Sequence, residues 1–138
     1  MIPEKELAVL KELRRDARKT LTAISKNTNI PISTVSLILN RLEKGLINKF
    51  VTFLDFSSRG YFKVHFFVKD KVPENNFLMS NRHLNSCYRL KGNCDYFLEC
   101  FFRTFKELQE FKEELGAYYS IQEECHVLEE IKLEGFLN

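Results

Sequence analysis

The sequence predicts an α+β fold in two parts, and three observations predict it. Residues 1–45 carry apolar side chains at helical spacing in three short runs, each bounded by a capping or turn residue. Residues 61–138 switch to runs rich in Phe, Tyr, Val and Ile, interrupted by one strongly amphipathic stretch. Charge changes sides as well: residues 1–60 hold 11 Lys+Arg against 6 Asp+Glu, net +5, and residues 61–138 hold 10 against 13, net −3. We place the domain boundary between residues 56 and 57, giving domains over 1–56 and 57–138.

The first run, EKELAVLKELRRDAR over residues 4–18, sets Leu7, Val9, Leu10, Leu13 and Ala17 near helical spacing. Thr20 stands at an N-cap position before a second run, LTAISKNT, although Ala23 leaves its capping box incomplete. Asn29 supplies a turn and Pro31 pre-sets the first turn of a third helix. That helix, ISTVSLILNRLEKG, aligns Val35, Ile38, Leu39 and Leu42 and stops at Gly45. Three helices with a tight turn before the last describe a helix-turn-helix. The β-prone run LINKFVTFLDF after Gly45 is expected to form a wing.

Opposite its apolar stripe the third helix carries Ser33, Ser36, Leu37 and Asn40, flanked by Arg41 and Lys44, with Thr34 beside them. Short polar side chains let a helix approach base edges, and cations hold phosphates. Ser33, Ser36 and Asn40 are therefore expected to face bases. Arg18, Lys26, Arg41, Lys44 and Lys49 are expected on the backbone, and Thr34 and Leu37 complete the candidate DNA surface. Duplex DNA is the expected partner.

In the second half, Tyr61 to Lys69 reads as a strand broken by Pro73 and Asn75-Asn76, and NFLMSNRHLN has room for two helical turns. SCYRLK and CDYFLECFF are strands on either side of a hairpin at Gly92-Asn93. Thr104 caps a helix with Phe105, Leu108, Phe111 and Leu115 on one face and Gly116 at its end, and IQEECHVLEEIKL is the last strand. Strand, helix, strand, strand, helix, strand is the βαββαβ order of a ferredoxin-like sandwich, here with a shortened first helix.

Two sets of motifs resemble the Lrp/AsnC (feast/famine) family of transcription regulators. Leu13, Asp16, Arg18 and Thr20, then Leu42, Glu43, Gly45 and Ile47, follow that family's pattern around the helix-turn-helix. Gly92, Asp95 and Tyr96 match its Gly-x-x-Asp-Tyr/Leu motif, and CHVLEEIK resembles its last strand. The spacing after Glu43 is one residue tighter than the commonest form. Ile38 stands where the family often has a basic residue, and the segment from Asp70 to Ser86 is short. The resemblance implies a DNA-binding regulator that dimerises, with tetramer or octamer open, through a second domain that senses a small effector such as an amino acid. It implies an effector site near Gly92, Asn93, Cys94, Asp95 and Tyr96. A branch of similar proteins decarboxylates tetrapyrroles, which is the alternative reading.

Cys87, Cys94, Cys100 and Cys125 show no paired metal-finger spacing. Pleat parity puts Cys87, Cys94, Leu98 and Cys100 on one sheet face, where thiols pack as small hydrophobes; a thiol- or metal-responsive regulator is the third reading. His65 and His83 have no partner in the sequence pattern, and Cys125 and His126 point to opposite faces. No nucleophile–base arrangement or phosphate-cradling loop can be read, so no catalytic residue, cofactor or metal is expected. No apolar run is long enough for a bilayer, and MIPEKEL carries charge from its fourth residue, so a cytoplasmic protein with reduced thiols is expected.

Overall fold

The computed structural model describes residues 1–137, which divide into two compact units. The first unit holds residues 1–53 together with 132–137, and the second holds Leu54–Ile131. The boundary expected after residue 56 thus falls three residues inside the second unit. The chain end, expected to continue the second domain, packs with the first.

In the first unit, α1 (Glu4–Arg15), α2 (Leu21–Thr28) and α3 (Ile32–Lys44) enclose one core. Val9, Ile24 and Val35, one from each helix, are fully buried at its centre, with Leu10, Leu13, Ile38 and Leu42 around them. Helix α1 stops three residues short of the sequence expectation because the Asp16 side chain accepts the Arg18 N–H at 2.9 Å and turns the chain, leaving Ala17 exposed. The Thr20 hydroxyl accepts the Ala23 N–H at 3.1 Å, the cap the sequence calls for. Leu137 packs on the same core.

The second unit runs β1 (Phe62–Asp70), α4 (Phe77–Ser80), β2 (Leu84–Arg89), β3 (Tyr96–Phe102), α5 (Phe105–Tyr118) and β4 (Tyr119–His126). The antiparallel sheet has the order β2-β3-β1-β4, as a ferredoxin-like sandwich requires, and α4 is a single turn. Strand β1 is central. Its Val64, Phe66 and Val68, with Leu98, Cys100 and Phe102 of β3, are fully buried against Leu108, Phe111 and Leu115 of α5. Alternation sends Lys63, His65, Phe67 and Lys69 of β1, and Phe97, Glu99 and Phe101 of β3, to the opposite, open face.

Four expectations change. The run after Gly45 forms no strand: residues 47–55 are irregular and leave Leu46, Phe50, Val51, Phe53 and Leu54 about half exposed or more. Its β-propensity has no partner strand within the unit, and an unpaired strand has no ladder to stabilise it. Helix α5 passes through Gly116 to Tyr118, because nothing after Leu115 turns left-handed, and the next strand follows directly. Phe105 is 72% exposed, one residue off the face that buries Leu108 and Phe111. Strand β4 ends at His126; one further bond, Val127 N–H to the Lys63 carbonyl at 3.0 Å, closes its ladder before the chain leaves the sheet.

These burials set a contrast testable by chemical denaturation. Phe111→Ala should cost about 3–5 kcal/mol, the usual loss for a buried Phe, whereas Phe105→Ala should stay within about 0.5 kcal/mol.

Candidate nucleic-acid interface and effector recess

The helix-turn-helix geometry is built by local bonds. Asn29 takes the left-handed conformation at φ 57°, as the turn requires, and the Ser25 hydroxyl donates to the Ile30 carbonyl at 2.6 Å to hold it. Pro31 then enters α3 with its φ already set near the helical value. Burying Val35, Ile38 and Leu42 turns the other side of α3 to solvent, where Ser33, Leu37, Asn40 and Lys44 form an exposed stripe at spacing i, i+4, i+7, i+11. Thr34 and Ser36 lie half-buried on its two flanks.

The cations are placed unequally. Lys44, Lys26 at the end of α2, Arg18 in the α1–α2 turn and Lys49 in the irregular segment are exposed. The Arg41 guanidinium instead donates to the Glu6 carboxylate of α1 at 2.8 Å, so part of its charge is already neutralised.

Glu12 is the residue that sequence reading passed over. It is the one buried charged residue among those described, accepting from Lys19 Nζ at 2.6 Å and from Asn27 Nδ2 of α2 at 2.9 Å. Arg15 lies 3.6 Å away. These donors and charges hold its carboxyl below the ordinary 4.5, the Lys19 hydrogen bond contributing most. Its position among Val9, Leu10 and Leu13 on the buried face was the available signal, since a carboxylate there needs partners.

In the second unit the β2–β3 connection is a four-residue loop, Lys91–Cys94, and not a two-residue turn at Gly92-Asn93. Leu90 N–H donates to the Asp95 carbonyl at 2.7 Å to close it, and Gly92 alone in the loop has a positive φ, 149°. Tyr88↔Phe97 and Arg89↔Tyr96 keep the register the two-residue turn would have set. Lys91, Gly92, Asn93 and Cys94 line an open recess of about 520 Å³, with Phe67, Lys69, Gln122 and Glu123 from the sheet's open face across from them. Cys94 therefore faces away from Cys87 and Cys100, because pleat parity does not extend into a loop.

Asp95 and Tyr96 do not line the recess. The Asp95 carboxylate accepts the Asp70 N–H at 2.7 Å and its own N–H donates to the Val68 carbonyl at 2.9 Å, so it clamps the loop to the end of β1. Tyr96 packs on the core, edge-on to Tyr119 at 5.7 Å. The lining residues Phe67 and Lys69 share a pleat face, a signal that was present in the alternation of β1 but needed the loop's position to become useful.

Burial pushes the thiols of Cys87 and Cys100 up, that of Cys100 further because it is fully buried, with Cys87 and Glu99 nearby adding to the effect. Thiols so placed are poorly nucleophilic at neutral pH. One histidine has a partner after all: His83 Nδ1 lies 3.0 Å from the Phe101 carbonyl, whereas the buried His65 Nε2 lies 3.5 Å from Glu99 and makes no hydrogen bond among the described residues. As expected, Cys125 and His126 diverge, Cys125 opposite His65 on the open face and His126 opposite Val64. Among the described residues, no three His, Cys, Asp or Glu side chains gather into a metal-binding group, and no helix is long and apolar enough to cross a membrane.

If Glu12 holds α1 to α2 as an ion, stability gained from its low pKa is present above the ordinary carboxylate range and lost as pH falls through its folded value. The midpoint of urea denaturation should therefore drop below about pH 4, and Glu12→Gln should be less stable at neutral pH while losing that part of the acid dependence.

Residues 2–45 match the family of winged helix-turn-helix DNA-binding segments. An uncharacterised HTH-type transcriptional regulator of Pyrococcus horikoshii is 37% identical over 73 residues, 52% of this chain. That match spans 46% of the relative, less than half of its length. Among solved structures, a transcriptional regulator of Neisseria meningitidis in complex with L-Met superposes with TM-score 0.84 at 21% identity, over 96% of this chain and 94% of its own. LrpC of B. subtilis superposes with TM-score 0.87 at 17% identity, over 96% and 98%. The chain thus carries a winged helix-turn-helix DNA-binding segment over residues 2–45, and over 96% of its length it has the fold of these regulators.

Proposed function

We propose that the chain is a transcription regulator of the Lrp/AsnC type that binds duplex DNA as a homodimer in the cytoplasm, with α3 of each copy in a major groove. The outward stripe of α3 carries the reading: short polar side chains at Ser33 and Asn40 stand clear of the core, and Lys44 ends the same line. Ser33, Ser36 and Asn40 face base edges, with Thr34 beside them, while Arg18, Lys26, Lys44 and Lys49 hold phosphates. Arg41 joins them as its bond to Glu6 is exchanged for a phosphate oxygen. Two-fold symmetry then asks for inverted half-sites about one helical turn apart, or a multiple of it. The open sheet face supports the dimer. There Phe67, Phe97 and Tyr88 stack in a half-exposed row, with centroids 5.3 and 6.0 Å apart, beside the Lys63–Glu99 and Lys63–Glu130 ion pairs.

The recess beside Gly92, Asn93 and Cys94 suits a zwitterion. Lys69 and Lys91 offer charge to a carboxylate, Glu123 to an amine, and Phe67 and Leu90 an apolar wall. A related fold was solved with L-Met, which supports an amino acid as the class of effector. In this reading Asp95 and Tyr96 serve the site by fixing its loop and its floor.

Fluorescence anisotropy on selected duplexes tests the DNA surface. Lys44→Ala should weaken every sequence alike and lower the salt slope by about 1, whereas Asn40→Ala should relax preference at one position of each half-site; no retardation of any duplex at low salt would refute the reading. A thermal-shift screen of amino acids tests the recess. A ligand at 100 times its Kd should add about 2.7 kcal/mol, and Lys69→Ala should remove that gain.

A further inference from the structure

Leu37 is out of place for a soluble helix surface. It is 64% exposed, on the far side of α3 from Val35, Ile38 and Leu42. Its neighbours one turn away in either direction are Ser33, Thr34, Asn40 and Arg41, none of which is an apolar side chain that could cover its methyl groups. The exposed Ile32, by contrast, sits one turn from the half-buried Ser36 and toward Leu39, at the edge of the core stripe. Leu37 is thus an isolated apolar group in the middle of a polar stripe, where serine or glutamine would serve solubility better.

We propose that Leu37 is a specificity-determining residue that packs on the C5-methyl group of a thymine in the base pair next to the one Asn40 reads. The proposal rests on the major-groove reading of α3 and deepens it. Among the four bases only thymine presents an apolar group in the major groove, so an apolar side chain at a base edge discriminates by contact with that methyl. Asn40, three residues further on, has the side-chain amide that pairs bidentately with adenine N6 and N7. Three helical residues advance about 4.5 Å along the axis, close to the roughly 3.4 Å rise between base pairs. Side chains three apart on a groove-bound helix accordingly meet successive bases. Leu37 and Asn40 together specify two adjoining A·T pairs, one through a methyl and one through a hydrogen-bond pair. Ser33, one turn earlier, accepts either class of base edge and adds little discrimination of its own.

The test removes the methyl and nothing else. Binding sites are selected from a randomised duplex library with the full chain, and each thymine of the best site is replaced singly by deoxyuridine. The wild-type protein should lose about fourfold in affinity at one thymine per half-site, the factor for one methyl group withdrawn from contact, and that thymine should adjoin the adenine whose preference Asn40→Ala relaxes. Leu37→Ala should bind thymine and deoxyuridine equally at that position while keeping its salt slope and melting temperature. Binding that is indifferent to every deoxyuridine, or a Leu37→Ala protein that keeps the full loss, overturns this assignment and leaves the DNA-binding reading standing. Failure to select any duplex overturns both.

Discussion

The helical unit is organised around one buried charge. Three helices of 12, 8 and 13 residues share a small apolar core. Glu12 adds to it a contact that has direction. Its carboxylate leaves α1 on the buried side and meets Lys19 in the connecting turn and Asn27 on α2. A buried carboxylate is tolerable only when its oxygens are satisfied, so the α1–α2 arrangement that satisfies them is selected over neighbours that do not. Helix α3 packs on the same core through Val35, Ile38 and Leu42, which leaves its polar stripe outward.

The second unit solves a similar problem with hydrogen bonds. A four-residue hairpin loop beside an open recess would be mobile if held only by its own closure. Asp95 removes that freedom by bonding twice to the end of the central strand, through its carboxylate to Asp70 and through its amide to Val68. The family-like motif at Gly92, Asp95 and Tyr96 thus divides its labour. Glycine permits the loop its positive φ, aspartate ties the loop down, and tyrosine seals the core beneath. A residue can shape a recess without lining it.

Much of this was legible in the sequence, and the exceptions share a cause. Helices α1 to α3, their Thr20 cap, the Asn29 turn and the order of strands and helices along the second unit follow from local periodicity and capping chemistry, while α4 has one turn where the sequence has room for two. What local pattern misses is the partner. LINKFVTFLDF has the composition of a strand but no strand beside it, so it stays irregular. Phe105 fits the α5 stripe by spacing alone, yet only the sheet's position decides that Leu108, Phe111 and Leu115 are the buried set. Gly116 reads as a stop but ends nothing, because a glycine terminates a helix only where the following chain must turn. Pleat parity placed Cys87 and Cys100 together and failed at Cys94, which lies two residues before β3 begins. Glu12 and Asp95 act through contacts 7 to 27 residues away in sequence, and Lys69 shares its recess with residues further off still, beyond any periodic signal.

The return of residues 132–137 to the first unit has a thermodynamic meaning. Leu137 on the helical core and Arg14 with Glu134 are modest contacts. Were Leu54–Ile131 unfolded, docking that tail would close a flexible loop of 78 residues, at an entropic cost on the order of 4 kcal/mol. Ordering of the inserted segment lowers that cost, so the same contacts hold the tail more firmly in the folded chain than they would across an unfolded insert.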